Sequence, residues 1–117
     1  MASSELMTVQ PDKLELIVED DELLNSFYAK WASPRGYLAV ARSTPEPEVY
    51  CELNGQENGF RSKTLTYAID GRTLRFKLAS GESFLRGAGL HAMALELPRN
   101  ANLAKVRRCL AAVLAVP

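Results

Sequence analysis

Soft metal ligands are scarce in this chain: among 117 residues there is one histidine, His91, and the only two cysteines are Cys51 and Cys109. Cysteines this far apart, with no Cys-x-x-Cys pair, cannot complete a zinc site, so no metal is expected. Nor do they form a disulfide framework, and buried, reduced thiols are the expectation. Net charge is lacking too, with 14 basic side chains against 14 acidic ones, which argues against a dedicated nucleic-acid binder. No apolar run approaches the roughly 18 residues that would span a membrane. The N-terminal stretch lacks a basic segment followed by an apolar one, so no secretory signal is read and a cytoplasmic protein is expected. Gly81, Gly87 and Gly89 share a loop but not in a nucleotide-binding spacing, so no cofactor is expected. The acidic run Glu19, Asp20, Asp21 and Glu22 lacks the spacing and the glycine of a calcium loop.

A catalytic reading has to start from His91, with Cys51 or Cys109 as nucleophile. His91 shares parity with Met93 and Leu95 at the start of a strand, a rim or partly buried position, and no nucleophile signature surrounds either cysteine. The chain is therefore not expected to be an enzyme.

What is present is an ordinary globular composition, 47% hydrophobic and 24% charged, which suits one domain over residues 1–117 with the small, polar stretch 1–11 frayed. The zero net charge is a cancellation along the sequence. Residues 1–60 carry 4 basic and 11 acidic side chains, a balance of −7, and residues 61–117 carry 10 and 3, a balance of +7.

Strand signals dominate. Residues 13–18 alternate and then become continuously apolar, residues 37–41 are apolar on both faces, and Val49, Cys51 and Leu53 alternate with Tyr50, Glu52 and Asn54. Leu65, Tyr67 and Ile69 run into Asp70 and Gly71, and Leu74, Phe76 and Leu78 run out. A type I′ turn at Asp70 and Gly71 would set Tyr67 opposite Leu74 and Leu65 opposite Phe76. The other face of that hairpin carries Thr66, Thr73, Arg75 and Lys77. Met93, Leu95 and Leu97 mark a last strand, and Asn100 or Asn102 caps a helix that runs to about Ala115, with Leu103, Val106, Leu110, Val113 and Leu114 in one stripe. The fold class is α+β: an antiparallel β-meander of about six or seven strands with one C-terminal helix packed on the sheet.

Residues 23–31 are ambiguous. Leu23, Phe27 and Trp31 recur at a helical four-residue spacing, but Asn25, Ser26, Phe27 and Tyr28 are middling helix formers, and residues 33–36 resemble a turn between two strands. Tyr28 and Trp31 suit either a core or an interface anchor. Arg61, Lys63, Arg72, Arg75, Lys77 and Arg86 cluster in sequence, but the nearby aromatics Tyr67 and Phe76 have core parity; a solvated face or a site for an acidic protein fits better than a nucleic-acid surface.

One resemblance covers residues 14–114. The run Val18, Glu19, Asp20, Asp21, then Phe27, then residues 37–43 from Tyr37 to Ser43, then Val49, Tyr50, Cys51, Glu52, then residues 56–60, then the Asp70 hairpin with residues 74–78, resembles the immunity protein 10 family of bacterial polymorphic-toxin systems. Ala41 stands where the family pattern has Gln, and Phe60, Arg61 and Ser62 replace an aromatic followed by glycines. The resemblance implies a strand at 23–30. It also implies an immunity protein that binds and neutralises a cognate toxin domain by direct contact, without catalysis; the alternative is a secretion chaperone or assembly subunit that binds an effector without neutralising it. The expected partner is thus a protein, not nucleic acid or membrane, and the chain itself a monomer or homodimer. For a basic toxin such as a nuclease, the expected contacts are Asp20, Asp21, Glu22, Glu46, Glu48 and Glu57 together with Trp31, with Thr66, Arg75 and Lys77 as a secondary basic face.

Overall fold

Period-two alternation builds most of this molecule, because few segments are apolar on both faces and each strand must turn one side to a core. The structure, a computed structural model, describes residues 6–19, 23–32, 34–79, 81–87 and 89–114. In chain order the strands are β1 (Leu6–Val9), β2 (Lys13–Ile17), β3 (Leu24–Ala32), β4 (Arg35–Ser43), β5 (Val49–Leu53), β6 (Phe60–Ser62), β7 (Thr66–Asp70), β8 (Thr73–Lys77) and β9 (Ala92–Glu96), followed by α1 (Leu103–Val113). The fold is α+β. Instead of one meander, the strands form a five-stranded sheet in the order β2-β3-β4-β5-β6 and a four-stranded sheet in the order β1-β9-β8-β7.

The additional strands have local causes. Residues 6–9, expected to fray, pair in parallel with β9, giving its free backbone groups partners while Met7 and Val9 turn toward the core. Only every second side chain there is needed inside, so the segment looks too polar to be ordered. The 23–31 ambiguity resolves as a strand: Asn25, Phe27, Ala29 and Trp31 face inward. Four is a multiple of two as well as nearly a helical turn, so the Phe27 to Trp31 spacing suits either element, and pairing with β2 and β4 decides it.

The β7–β8 hairpin differs from expectation by two residues. Tyr67 pairs with Phe76 and Ile69 with Leu74, leaving Gly71 and Arg72 as the loop. Gly71 has φ +60 and Arg72 does not share it, the type II′ arrangement that takes glycine first. A slip of two keeps every side chain on its face, so the apolar side is as expected although the register is not.

Both sheets and the helix share one core. Phe27 of β3 meets Phe76 of β8 edge-on at 5.8 Å across the sheets. Asn102 caps α1, its side chain accepting from the Lys105 N–H, and Val106, Cys109, Leu110 and Val113 are buried. The helix lies on the inner side of the five-stranded sheet, where the Cys109 thiol donates to the Ser26 carbonyl at 3.1 Å.

Among these apolar residues stands Arg42, inward-facing on β4 and 5% exposed. Its Nε donates to Val113 O at 2.8 Å and one terminal nitrogen to Ala112 O at 2.8 Å, while the other donates to Thr44 O at 2.6 Å, Glu46 O at 3.1 Å and Ser43 O at 3.3 Å. A helix end leaves its last carbonyls without intrahelical donors and carries partial negative charge; with no basic residue of its own in the last turn, α1 takes both the donors and the cation from β4. Arg42→Met should lower stability by about 3 kcal/mol, because buried carbonyls lose charged donors. Arg42→Lys should recover less than half, since one ammonium cannot reach both the helix end and the loop. Urea unfolding at neutral pH checks both, and a loss under about 1 kcal/mol in the Met variant contradicts this role.

Candidate functional site

The outer face of the five-stranded sheet is built by the residues that the core leaves over. Register places them in rows across the strands: Ile17, Ser26, Ala41, Tyr50 and Arg61 in one, Glu15, Tyr28, Ala39 and Glu52 in the next, and Lys13, Lys30 and Tyr37 in a third. Among the described residues, every side chain of this face keeps solvent contact. Ala39 and Ala41 form a shallow floor along β4, with Tyr28 on one side and Tyr50 with Glu52 on the other.

The tyrosines are held in place. Tyr28 and Tyr37 stack with ring centroids 5.7 Å apart. Tyr37 and Tyr50 both donate their hydroxyls to the Glu52 carboxylate, Tyr50 at 2.5 Å and Tyr37 to the other oxygen. Tyr50 lies over Gly59, where a Cβ would clash with its hydroxyl, so the glycine leaves room for the ring. The two phenol hydrogen bonds hold the Glu52 carboxyl below the usual carboxylate value, against the opposing effect of partial burial. In return the Glu52 hydrogen bond, helped by burial and by the carboxylate charge, pushes the Tyr37 phenol up to about 12, and Tyr50 is raised for the same first reason.

At the β3–β4 hairpin end the face opens into a recess of about 570 Å³ walled by Tyr28, Lys30, Arg35 and Tyr37. Toward the other end a smaller one of about 290 Å³ lies beside Ala41, Tyr50, Arg61 and Glu46. The sheet face measures roughly 26 by 19 Å, on the order of 500 Å² before side-chain relief, which approaches the ~800 Å² per partner of a standard protein interface. Rigid aromatic residues around small ones at this scale suit protein contact, where tyrosines supply large area with little rotamer entropy to lose.

The expected contacts are scattered. Glu46 and Glu48 sit in the β4–β5 connection and Glu57 in the 3-10 turn Gln56–Asn58, at opposite ends of β5, so at least roughly 13 Å of strand separates them. Glu48 is also paired with Lys63 at 3.7 Å. Asp20, Asp21 and Glu22 lie outside the described residues. Trp31 is 1% exposed and belongs to the core; it faces inward because its β3 neighbours of the same parity, Phe27 and Ala29, do. Its indole N–H is buried with no partner among the described residues. Thr66, Arg75 and Lys77 are together and exposed on the outer face of the four-stranded sheet. Tyr37, Tyr50 and Glu52 were not among the expected contacts. Three of the four tyrosines sit on strands that can become neighbours, and a two-residue turn after Ala32 is enough to put Tyr28 and Tyr37 on one face.

His91 and the thiols have structural surroundings. His91 Nδ1 donates to the Glu82 carbonyl at 2.6 Å, and burial pushes the Cys51 thiol up to about 12, so it is not a thiolate at neutral pH. Burial raises Cys109 as well, and both cysteines are free. Among the described residues, no three His, Cys, Asp or Glu side chains gather where a metal could bind, and no helix is long and apolar enough to cross a membrane.

No protein-family model matches the chain, and no curated protein does.

The Glu52 cluster has a pH signature. With the folded carboxyl held below its ordinary value, its stabilisation is complete above the ordinary carboxylate range and disappears as pH falls through the folded value. With the Tyr37 phenol held up from 10.0 to about 12, the corresponding contribution is complete below pH 10 and disappears as pH rises through about 12. Glu52→Gln should flatten both limbs of the stability profile and return Tyr37 ionisation, followed by tyrosinate absorbance, toward the ordinary phenol range. An unchanged absorbance titration contradicts the assignment.

Proposed function

We propose that this protein is an immunity protein that binds and neutralises a cognate bacterial toxin domain by direct contact, without chemistry of its own. The observation that carries the reading is the tyrosine platform: a sheet face approaching interface size and uncovered among the described residues, with the Tyr37 and Tyr50 phenols tied to Glu52 and Tyr28 stacked on Tyr37 before any partner arrives. The residue pattern over 14–114 that resembles the immunity protein 10 family supplies the toxin as the partner's class. Tyr28, Tyr37 and Tyr50 form the centre of the contact, and Glu46 and Glu48 lie near its rim.

The test is growth of cells that express a candidate toxin domain taken from a neighbouring open reading frame. Co-expression should restore growth. Tyr28→Ala, Tyr37→Ala and Tyr50→Ala should each weaken toxin binding roughly 30-fold, the effect of losing a hot spot worth about 2 kcal/mol, with urea midpoints measured in parallel. Improved secretion or solubility of the effector without rescue would mean a chaperone, and the immunity reading would then fail.

A further inference from the structure

Resting on the reading of the outer face as the docking surface, we infer that the recess at the β3–β4 hairpin end is a carboxylate subsite, and that the partner presents an acidic segment to it. Lys30 and Arg35 stand at this recess, both exposed, and neither makes an ion pair among the described residues. The carboxylates that share the face are already engaged: Glu15 with Lys13 at 3.3 Å, and Glu52 with the hydroxyls of Tyr37 and Tyr50. Two cations thus open onto about 570 Å³ of space to which, among the described residues, no carboxylate contributes a wall.

The stacked rings of Tyr28 and Tyr37 form the apolar side of the recess. A carboxylate entering beside them is partly shielded from water, and its attraction to the cations rises accordingly. The planar fork of Arg35 suits both oxygens of a carboxylate, and Lys30 adds a point charge from the neighbouring strand. Away from the recess the floor of Ala39 and Ala41 takes apolar side chains, so the complementary segment carries acidic residues at one end and apolar ones beyond. A single strand of nucleic acid fits less well: the Tyr28 and Tyr37 rings already stack on each other, and Glu15 and Glu52 would face its phosphates. The docking charge is opposite in sign to that expected from the acidic loops for a basic toxin. Steering through Lys30 and Arg35 means that the partner approaches this face acidic side first.

The experiment titrates the full isotope-labelled chain with three probes: a peptide of Glu, Asp and Leu, the same peptide with Lys for every acid, and a single-stranded oligo-thymidylate. The acidic peptide should shift the amide signals of Lys30, Arg35, Tyr37 and Ala39, and bind roughly tenfold more tightly than its basic counterpart at low salt, as complementary charge requires. The Lys30→Glu, Arg35→Glu double variant should lose that preference while keeping its urea midpoint; if the midpoint falls, the milder Lys30→Gln, Arg35→Gln pair makes the same comparison. Equal or tighter binding of the basic peptide, tighter binding of the oligonucleotide, or acidic-peptide shifts confined to Arg75 and Lys77 overturns the inference. Full growth protection by the double variant overturns the subsite and leaves the immunity reading standing. Failure of the unaltered chain to protect removes the immunity reading, and the peptide preference still decides the subsite.

Discussion

The last carbonyls of α1 point into the interior beside a sheet, and the guanidinium of Arg42 meets them there. Burying an arginine is costly unless its donors are paired, and all three of its nitrogens are bonded to backbone oxygens, at the helix end on one side and in the β4–β5 connection on the other. The ligands are carbonyl dipoles rather than a carboxylate, so the partial charge of the helix end serves as the counter-ion. Asn25, 1% exposed on the neighbouring strand, extends the contact. Its amide nitrogen donates to Arg42 O at 3.2 Å and its oxygen accepts from the Glu19 N–H at 2.8 Å, so the start of β3 and the end of β4 are tied at the same place.

This anchorage governs the opposite side of the sheet. With Leu38, Val40 and Arg42 committed to the inside of β4, Tyr37, Ala39 and Ala41 have to face out, and a one-residue slip would exchange the two sets. The platform is thus the reverse side of the helix cap. Its alanines lie on a strand whose inner residues are fully packed, which keeps the floor flat, and its tyrosines hang from strands paired on both sides of it. Fixing the Tyr37 and Tyr50 phenols on Glu52 continues the same economy of motion, since rings already held have little freedom left to lose.

Charge is distributed less simply than the sequence order suggests. The acidic first half supplies most of the five-stranded sheet, yet the outer face of that sheet carries Lys13, Lys30, Arg35 and Arg61 against Glu15 and Glu52. The described acids of that half that lie off the sheet, Asp12, Glu19, Glu46, Glu48 and Glu57, sit in connections at its two ends, exposed or half-exposed. The basic second half places Arg75 and Lys77 on the outer face of the other sheet and Lys105, Arg107 and Arg108 on α1. A seven-charge excess in either half of the sequence therefore does not become one acidic face and one basic face.

What the sequence determined by itself is what one strand or helix decides alone: the apolar side of the alternating segments, a C-terminal helix capped by Asn100 or Asn102, that Gly71 lies in a hairpin turn, and that the class is α+β. Alternation is local, so Val49, Cys51 and Leu53 declare their inner face without reference to anything else. The tertiary structure decided which segments became neighbours. β1 exists because β9 had an unpaired edge, 23–31 is a strand because β2 and β4 pair with it, and Arg42 is inside because a helix from the far end of the chain stops above it. Tyr28, Tyr37 and Tyr50 lie on three consecutive strands and share a face through two registers, that of the β3–β4 hairpin and that of β4 with β5. Trp31 went to the core for the same reason: parity settles which residues travel together, but packing against the rest of the chain settles which side is in.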